Sequence, residues 1–404
     1  MKQRFPLAAI ATLSCLLSLP PTAFANTAAT PSAHTSNKVH TTSQQTDNPS
    51  GKPSGKHPAP SHGKTATASK DHRDHGDHKA AASGHHAKHS PAPSGEVRHY
   101  EALPEVRDFI DGLVQRHGFQ RDELIALFAK ARFQPAVIKA ILPPSSPRQK
   151  SWQAYRARFV EPTRIRAGLR FWDDYADALQ QAEQRYGVPA DIIASIIGVE
   201  TIYGRNTGNF ETFSALTTLA FDYPPRADLF RRELEALLLL ARDEQRSPLS
   251  YQGSYAGALG LPQFLPSSLR NWAVDFNGDH HIDLTNPVDA IGSVGRFLAE
   301  HGWEKDGPIV VPAQVQEGPG SDSLIAEGIS PKRLPDELRA FGVTAGNVPQ
   351  QPVALIDLVT PDAATEYRLG YRNFYVITRY NRSSFYASSV NDLAQALKAA
   401  RLDR

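Results

Sequence analysis

Asp-Ile-Ile-Ala-Ser-Ile-Ile-Gly-Val-Glu occupies residues 191–200 and runs directly into Thr-Ile-Tyr-Gly-Arg-Asn-Thr-Gly at 201–208. Read as a helix, the first stretch puts Ile193, Ile196 and Ile197 on the face of Glu200. A carboxyl there is poorly solvated. Gly204 and Gly208 are predicted to end the helix, which leaves Glu200 at a C-terminus whose dipole disfavours negative charge. Both effects raise a carboxyl pKa, so Glu200 can stay protonated near neutral pH and act as a general acid. A structural reading competes: Glu200 caps a core helix and pairs with Arg205. Spacing alone does not separate the two.

Helical periodicity extends outward from this stretch. Residues 104–141 read as helices, with Val106, Phe109, Ile110 and Leu113 at helical spacing and Leu124, Leu127 and Phe128 after them. Pro143-Pro144-Ser145-Ser146-Pro147 is a break. Trp152 to Arg158 and Gly168 to Tyr186 are again helical, the second with an aromatic face at Phe171, Trp172 and Tyr175. Leu229 to Asp243 is a leucine-rich helix. From Trp303 to about Tyr371 the texture changes, and residues 309–311 and 353–358 read as strands between Gly/Pro-rich turns. Residues 373–381 mix apolar and polar side chains, and a last helix covers Val390 to Ala400. The fold class is mainly α with a small β subdomain (α+β), and no solenoid repeat is present.

The first hundred residues are of another kind. Lys2 and Arg4 precede an apolar stretch from Leu7 to Leu19, and Ala23-Phe24-Ala25 follows as a small-x-small site, so residues 1–25 read as a signal peptide cleaved after Ala25. The single cysteine, Cys15, lies inside the apolar stretch. Lipidation there would leave the Ala-Phe-Ala site unexplained, so a lipoprotein is the less favoured reading. Residues 26–98 are rich in Ser, Thr, Ala, Pro, Gly, Lys and His, and cannot bury a core; they are predicted to be a disordered linker. Ten of the fifteen histidines fall there, a composition that binds transition metals loosely or simply makes a soluble spacer. Residues 26–99 carry nine Lys/Arg against five Asp/Glu, and residues 100–404 carry 33 against 37. A slightly acidic folded part argues against a nucleic-acid partner. No stretch after the signal peptide is apolar enough to span a membrane.

Residues 251–272 hold a second constellation. Ala256, Gly257, Ala258 and Gly260 allow close approach of other groups. Gln263 sits among Leu261, Phe264 and Leu265, and its amide needs partners: either backbone or a sugar hydroxyl or N-acetyl group. Asp275-Phe276-Asn277-Gly278-Asp279-His280-His281-Ile282-Asp283 then places oxygen donors at loop positions 1, 3, 5 and 9, as in an EF-hand calcium loop. His281 at position 7 offers its carbonyl. His280 replaces the usual Gly at position 6, which adds backbone strain of about a kcal/mol. Asn286 stands where the bidentate Glu is usual, and Asp289 can serve in a lengthened loop. A sodium ion or an empty Asx-rich turn is the alternative to calcium.

Taken together, these stretches resemble the B-type lytic murein transglycosylases of Gram-negative bacteria and their soluble relatives. The resemblance is carried by Tyr-Gly-Val-Pro (186–189), Ile-Ile-Gly-Val-Glu-Thr (196–201), Ala-Arg-Asp-Glu-Gln (241–245) and Gly-Ser-Tyr-Ala-Gly-Ala-Leu-Gly (253–260). Gln-Phe-Leu-Pro-Ser-Ser (263–268), Val-Asp-Ala-Ile-Gly-Ser-Val (288–294) and Asn-Phe-Tyr-Val-Ile-Thr-Arg-Tyr-Asn (373–381) continue it in order. It implies a catalytic domain over 99–404: a helical subdomain at about 99–165, a lysozyme-like core at about 166–303 and 371–404, and a small β subdomain at about 304–370.

The resemblance also implies the reaction. The β-1,4 bond between N-acetylmuramic acid and N-acetylglucosamine is cleaved without water, and the muramyl 6-hydroxyl closes a 1,6-anhydro ring. Glu200 falls on the family's sole catalytic acid/base. Ser254, Gln263, Tyr380 and Asn381 fall on substrate-contacting positions, and Tyr203 on an aromatic wall near Glu200. Only Arg226 of a family arginine pair is present after Tyr223-Pro224-Pro225, which leaves stem-peptide preference open. Asp275, Asn277, Asp279, His281 and Asp289 fall on the ligands of a structural calcium ion. The implied partners are peptidoglycan strands and possible wall-synthesis proteins, and the implied compartment is the periplasm. Two other readings compete: a muramidase that uses water, for which Asp222 is a candidate second carboxylate, and a non-catalytic wall-binding scaffold.

Overall fold

The computed structural model describes residues 98–142 and 150–403. The signal peptide, Cys15, nearly all of the His-rich linker and the Pro143–Pro147 break lie outside the described residues.

Three helices open the domain: α1 (Pro104–His117), α2 (Arg121–Phe128) and α3 (Pro135–Ile141). They bury the stripe read from the sequence, including Val106, Ile110, Leu113, Leu124 and Phe128. Next come α4 (Trp152–Arg156), α5 (Pro162–Asp174) and α6 (Ala176–Tyr186). The single helix predicted from Gly168 to Tyr186 is therefore two. Tyr175 leaves helical geometry at φ −124°, ψ 31° and ends α5. That helix also begins earlier than predicted, because the Glu161 carboxylate accepts from the amides of Thr163 and Arg164 ahead of Pro162.

The core is built around α7 (Ala190–Thr201), every residue of which is buried. A helix buried on all sides must be surrounded by other elements. After it come strand β1 (Phe210–Glu211), α8 (Thr212–Asp222), α9 (Ala227–Asp243), β2 (Gln252–Gly253), α10 (Pro266–Trp272) and α11 (Pro287–Glu300). β1 and β2 pair antiparallel, Phe210 with Gly253 and Glu211 with Gln252.

The β-rich part contains β3 (Val310–Val315), α12 (Pro319–Ala326), β4 (Val343–Thr344), β5 (Ala354–Leu358) and β6 (Glu366–Gly370). The sheet order is β4-β3-β6-β5, antiparallel throughout. β5 is buried on both faces. Leu355 joins a small core with Leu324, Leu338 and Leu369, while Ala354, Ile356 and Leu358 face the main core. This alternation explains why 353–358 reads as an almost continuous apolar run. Two helices close the chain, α13 (Arg372–Tyr380) and α14 (Ser384–Leu402). The mixed run at 373–381 is thus mostly helix. The last helix starts six residues before the predicted Val390, because Ser383 Oγ accepts from the Tyr386 amide. α7 packs against α5, α6, α11 and α14.

One ionic cluster joins three of these elements. Asp392 of α14 accepts from Arg156 Nε of α4 at 2.6 Å and from Arg368 of β6 at 2.6 and 3.1 Å. The Asp392 side chain is 9% exposed and that of Arg368 15%. Burial alone would raise the Asp392 carboxyl, but the two guanidiniums overcome it and hold the carboxyl below its usual range. Its stabilising contribution is therefore present above the unfolded carboxyl pKa and is lost as pH falls through the folded one. Asp392→Asn removes the anion that Arg156 and Arg368 share, Arg368 keeping only a longer contact of 3.5 Å to Glu366, and is expected to cost about 3 kcal/mol in urea unfolding at pH 7. Below about pH 4 the gap between wild type and variant should narrow. A gap that is constant with pH would contradict the ionic account.

Candidate active site

Glu200 is the penultimate residue of α7 and is 7% exposed. The hydroxyl of Tyr386, from the first turn of α14, donates to Glu200 Oε1 at 2.7 Å. Burial pushes the Glu200 carboxyl up to about 8, and the Tyr386 hydrogen bond limits the rise. At neutral pH the group is protonated, in an apolar setting, with a donor ready for its charged form. Arg205 is exposed and is not the partner of Glu200. The helix also ends sooner than predicted. Thr201 is its last residue, and Ile202 and Tyr203 follow in left-handed geometry at φ 53° and 58°. Gly204 and Gly208 belong to the turn beyond.

That turn is tied to the Gln263 loop. Thr201 Oγ1 donates to the carbonyl of Leu261 at 2.9 Å, and the Gly204 amide donates back to Thr201 Oγ1 at 3.0 Å. Gln263, at φ 53°, donates from Nε2 to the carbonyls of Gly260 (2.9 Å) and Thr207 (3.1 Å). Both amide protons are thus engaged by backbone, and the oxygen is what Gln263 can present to a hydroxyl or an amide N–H. Gly208 lies against the backbone of Gly253, where any Cβ would overlap the Gly253 carbonyl. Ser254 sits in the next turn, where its Oγ accepts from the Ala258 amide at 3.0 Å.

The C-terminal return supplies the other wall. Tyr380 stacks on Tyr386 with centroids 6.4 Å apart and planes at 13°, and donates to the carbonyl of Pro262 at 2.5 Å. Phe264 and Phe297 flank it. Burial, and Glu200 once it is ionised, push both phenols well up, so both remain neutral donors. Half-buried Asn381 ends α13. The chain thus brings Glu200, the Gln263 loop and the Tyr380–Asn381 return together.

The remaining candidates lie elsewhere in the fold. Tyr203 turns its ring back beneath α7, against Phe171 at 5.2 Å. Arg226 ends the short 3-10 turn Pro224–Arg226 that leads into α9 and is half-buried. Asp222, the candidate second carboxylate, is held by the Tyr100 hydroxyl at 2.6 Å and by Arg98. Tyr386 carries no local sequence signal of its own. Ser383, a good N-cap after the Tyr-Asn return, was the available signal that the last helix begins early and carries Tyr386 in its first turn.

The loop at 275–289 is closed by its own side chains. Asp275 accepts from the amides of Gly278, Asp279 and His280, and Asn277 from that of Asp279. His280 adopts φ 68°, the left-handed geometry expected at position 6. Asp289 is fully buried and accepts from the amides of Phe276, Asn277 and Asp283. A carboxylate offers about four acceptor sites, so Asp289 keeps capacity for one further contact. Among the described residues no three His, Cys, Asp or Glu side chains converge as a metal cluster.

The family model described as "Transglycosylase SLT domain" matches residues 101–395. Membrane-bound lytic murein transglycosylase B of Escherichia coli is 44% identical over 313 residues, 74% of this chain and 84% of that protein. The crystal structure of soluble lytic transglycosylase SltB1 from Pseudomonas aeruginosa superposes with a TM-score of 0.69 at 46% identity, covering 74% of this chain and 99% of that one. The Escherichia coli lytic transglycosylase Slt35, solved in complex with calcium, gives a TM-score of 0.66 at 41% identity and covers 76% and 96% of the two chains.

The state of Glu200 has a measurable consequence. Its folded pKa of about 8 lies above the ordinary value of 4.5. A raised acid contributes stability that is present below the unfolded pKa and is lost as pH rises through the folded one. Ionising Glu200 in place should cost on the order of 5 kcal/mol. Between pH 5 and 9, wild type is expected to lose more unfolding free energy than Glu200→Gln. Parallel pH profiles for the two proteins would show that Glu200 is ionised at neutral pH.

Proposed function

The chain belongs to the transglycosylase SLT domain family, and from that membership we propose that it is a peptidoglycan lytic transglycosylase with Glu200 as its acid and base. It cleaves the β-1,4 bond between N-acetylmuramic acid and N-acetylglucosamine and leaves a 1,6-anhydromuramyl end. The observation that carries the assignment of Glu200 is its burial together with the Tyr386 hydrogen bond.

Tyr386 holds Oε1, so Oε2 is the oxygen that carries the proton to the glycosidic oxygen. Once the bond breaks, Glu200 is a carboxylate in an apolar site. The Tyr386 hydrogen bond favours that form and restrains it until it takes the proton of the muramyl 6-hydroxyl. The substrate acetamido group supports the positive C1, with Asn381 orienting it, as in substrate-assisted exceptions to the two-carboxylate rule. No second carboxylate is assigned, because Asp222 is engaged by Tyr100 and Arg98. The Gln263 oxygen and Ser254 contact the saccharide, and Arg226 is assigned to a stem-peptide carboxylate.

We assign a structural calcium ion to the 275–289 loop, where Asp275, Asn277, Asp279 and the His281 carbonyl would hold it, with Asp289 closing the loop and offering its remaining acceptor site. Bound there, it would neutralise the clustered carboxylates and fix the loop between α10 and α11. Peptidoglycan lies in the envelope, so the mature chain works in the periplasm after cleavage at Ala25. Among the described residues no helix is long and apolar enough to cross a membrane.

Mass spectrometry of digested peptidoglycan is expected to show 1,6-anhydro ends; reducing ends would mean hydrolysis. Glu200→Gln is expected to lower turnover by about 10²–10⁴-fold, and wild-type lysis by this variant would remove Glu200 as the acid. Calcium at a hundred times its Kd should add about 2.7 kcal/mol of stability. A melting temperature indifferent to calcium and chelator would count against the metal.

A further inference from the structure

The resemblance implies Tyr203 as an aromatic wall near Glu200, and in the fold its ring packs between α5 and α7. Its backbone is left-handed at φ 58°, directly after Ile202 at φ 53°. Two consecutive non-glycine residues in that region, one of them β-branched, persist only when their surroundings hold them there. Three contacts do so. The Tyr203 ring lies 5.2 Å from Phe171 of α5. Its hydroxyl reaches so near the backbones of Gly168 in α5 and Gly198 in α7 that a Cβ at either glycine would overlap it. The Ile202 amide closes the turn onto the carbonyl of Gly198 at 3.1 Å. The ring therefore plugs a notch that two glycines leave between two helices. Among the described residues its hydroxyl has no hydrogen-bond partner, so the fit is one of shape.

The turn that this plug locks is the one joining the two halves of the site. It starts one residue after Glu200, and its Thr201 hydroxyl and Thr207 carbonyl hold Leu261 and Gln263. We propose that Tyr203 is a positioning residue, which sets the Glu200 carboxyl and the Gln263 amide in register by filling the Gly168–Gly198 notch rather than by touching sugar. The proposal rests on Glu200 being the acid. A general acid must sit within hydrogen-bond reach of its target oxygen, so small displacements of its carrier cost rate more than binding.

The test uses the full mature chain on soluble glycan oligomers of alternating N-acetylglucosamine and N-acetylmuramic acid, with products read by mass spectrometry from pH 5 to 9. Tyr203→Leu is expected to lower kcat at least about tenfold with KM little changed. Its alkaline limb should move to lower pH, because a loosened turn admits water to Glu200. Tyr203→Phe should restore most of the loss, since the ring alone fills the notch. Gly198→Ala pushes on the same ring from the other side and should reproduce the signature; added to Tyr203→Leu, it should do less harm than in wild type. A raised KM with kcat and pH limb intact would make Tyr203 a sugar-contacting wall and overturn the proposal. A lower melting temperature with both kinetic readouts intact would reduce Tyr203 to packing and overturn it equally. Glu200→Gln in the same assay separates the failures. If that variant is active, the acid assignment falls and the positioning role with it. If it is inactive while Tyr203→Leu behaves as wild type, only the positioning role falls.

Discussion

A carboxyl on a helix that is buried on every side is the constraint around which this domain is arranged. An ionised Glu200 in such a place is costly, and a neutral one still needs a hydrogen-bond partner. The fold meets both needs with one contact, from Tyr386. That contact requires α14 to lie along α7, and α14 reaches there only after the chain has made the whole β-rich insertion. The Arg156–Asp392–Arg368 cluster then fixes α14 against α4 and β6, six residues beyond Tyr386. The state of a single proton thus depends on packing between elements nearly two hundred residues apart in sequence.

The surroundings of Glu200 are asymmetric. On the α14 side, stacked neutral phenols favour a low-dielectric wall. On the other side, a left-handed turn leads straight from the helix end into the Gln263 loop through hydrogen bonds made by Thr201 and Thr207. Glycines matter here for closeness: Gly208 lets the turn approach Gly253, and the Gly168–Gly198 pair admits the ring of Tyr203. The 275–289 loop is organised separately, around the fully buried Asp289, whose three hydrogen bonds from backbone amides bring both ends of the loop together.

Much of this was legible in the chain. The apolar run before Glu200, the β texture between Trp303 and Tyr371 and the Asp/Asn ladder from 275 are local patterns, and local patterns follow backbone periods. Element ends were less so. The break at Tyr175 and the helix stop at Thr201 lack a glycine or proline at the break itself, since tertiary contacts rather than turn propensity set them. Arg205 was a reasonable partner for Glu200 by proximity in sequence, yet Tyr386 takes that place because α14 packs on α7. Tyr203 was assigned to a wall by the resemblance, and the Gly168–Gly198 notch shows where its ring packs.

Residue order alone fixes a mainly helical domain with a carboxyl at the end of an apolar helix, a β insertion and an Asx-rich loop, because hydrophobic period and residue chemistry are written in neighbouring positions. The folded arrangement sets which hydroxyl faces that carboxyl, which carboxylates are already engaged and where the aromatic beside it packs. Those outcomes depend on pairs such as Glu200 with Tyr386, or Asp222 with Tyr100. Their spacing along the chain carries no period, and they meet only when buried surfaces find their complementary shapes.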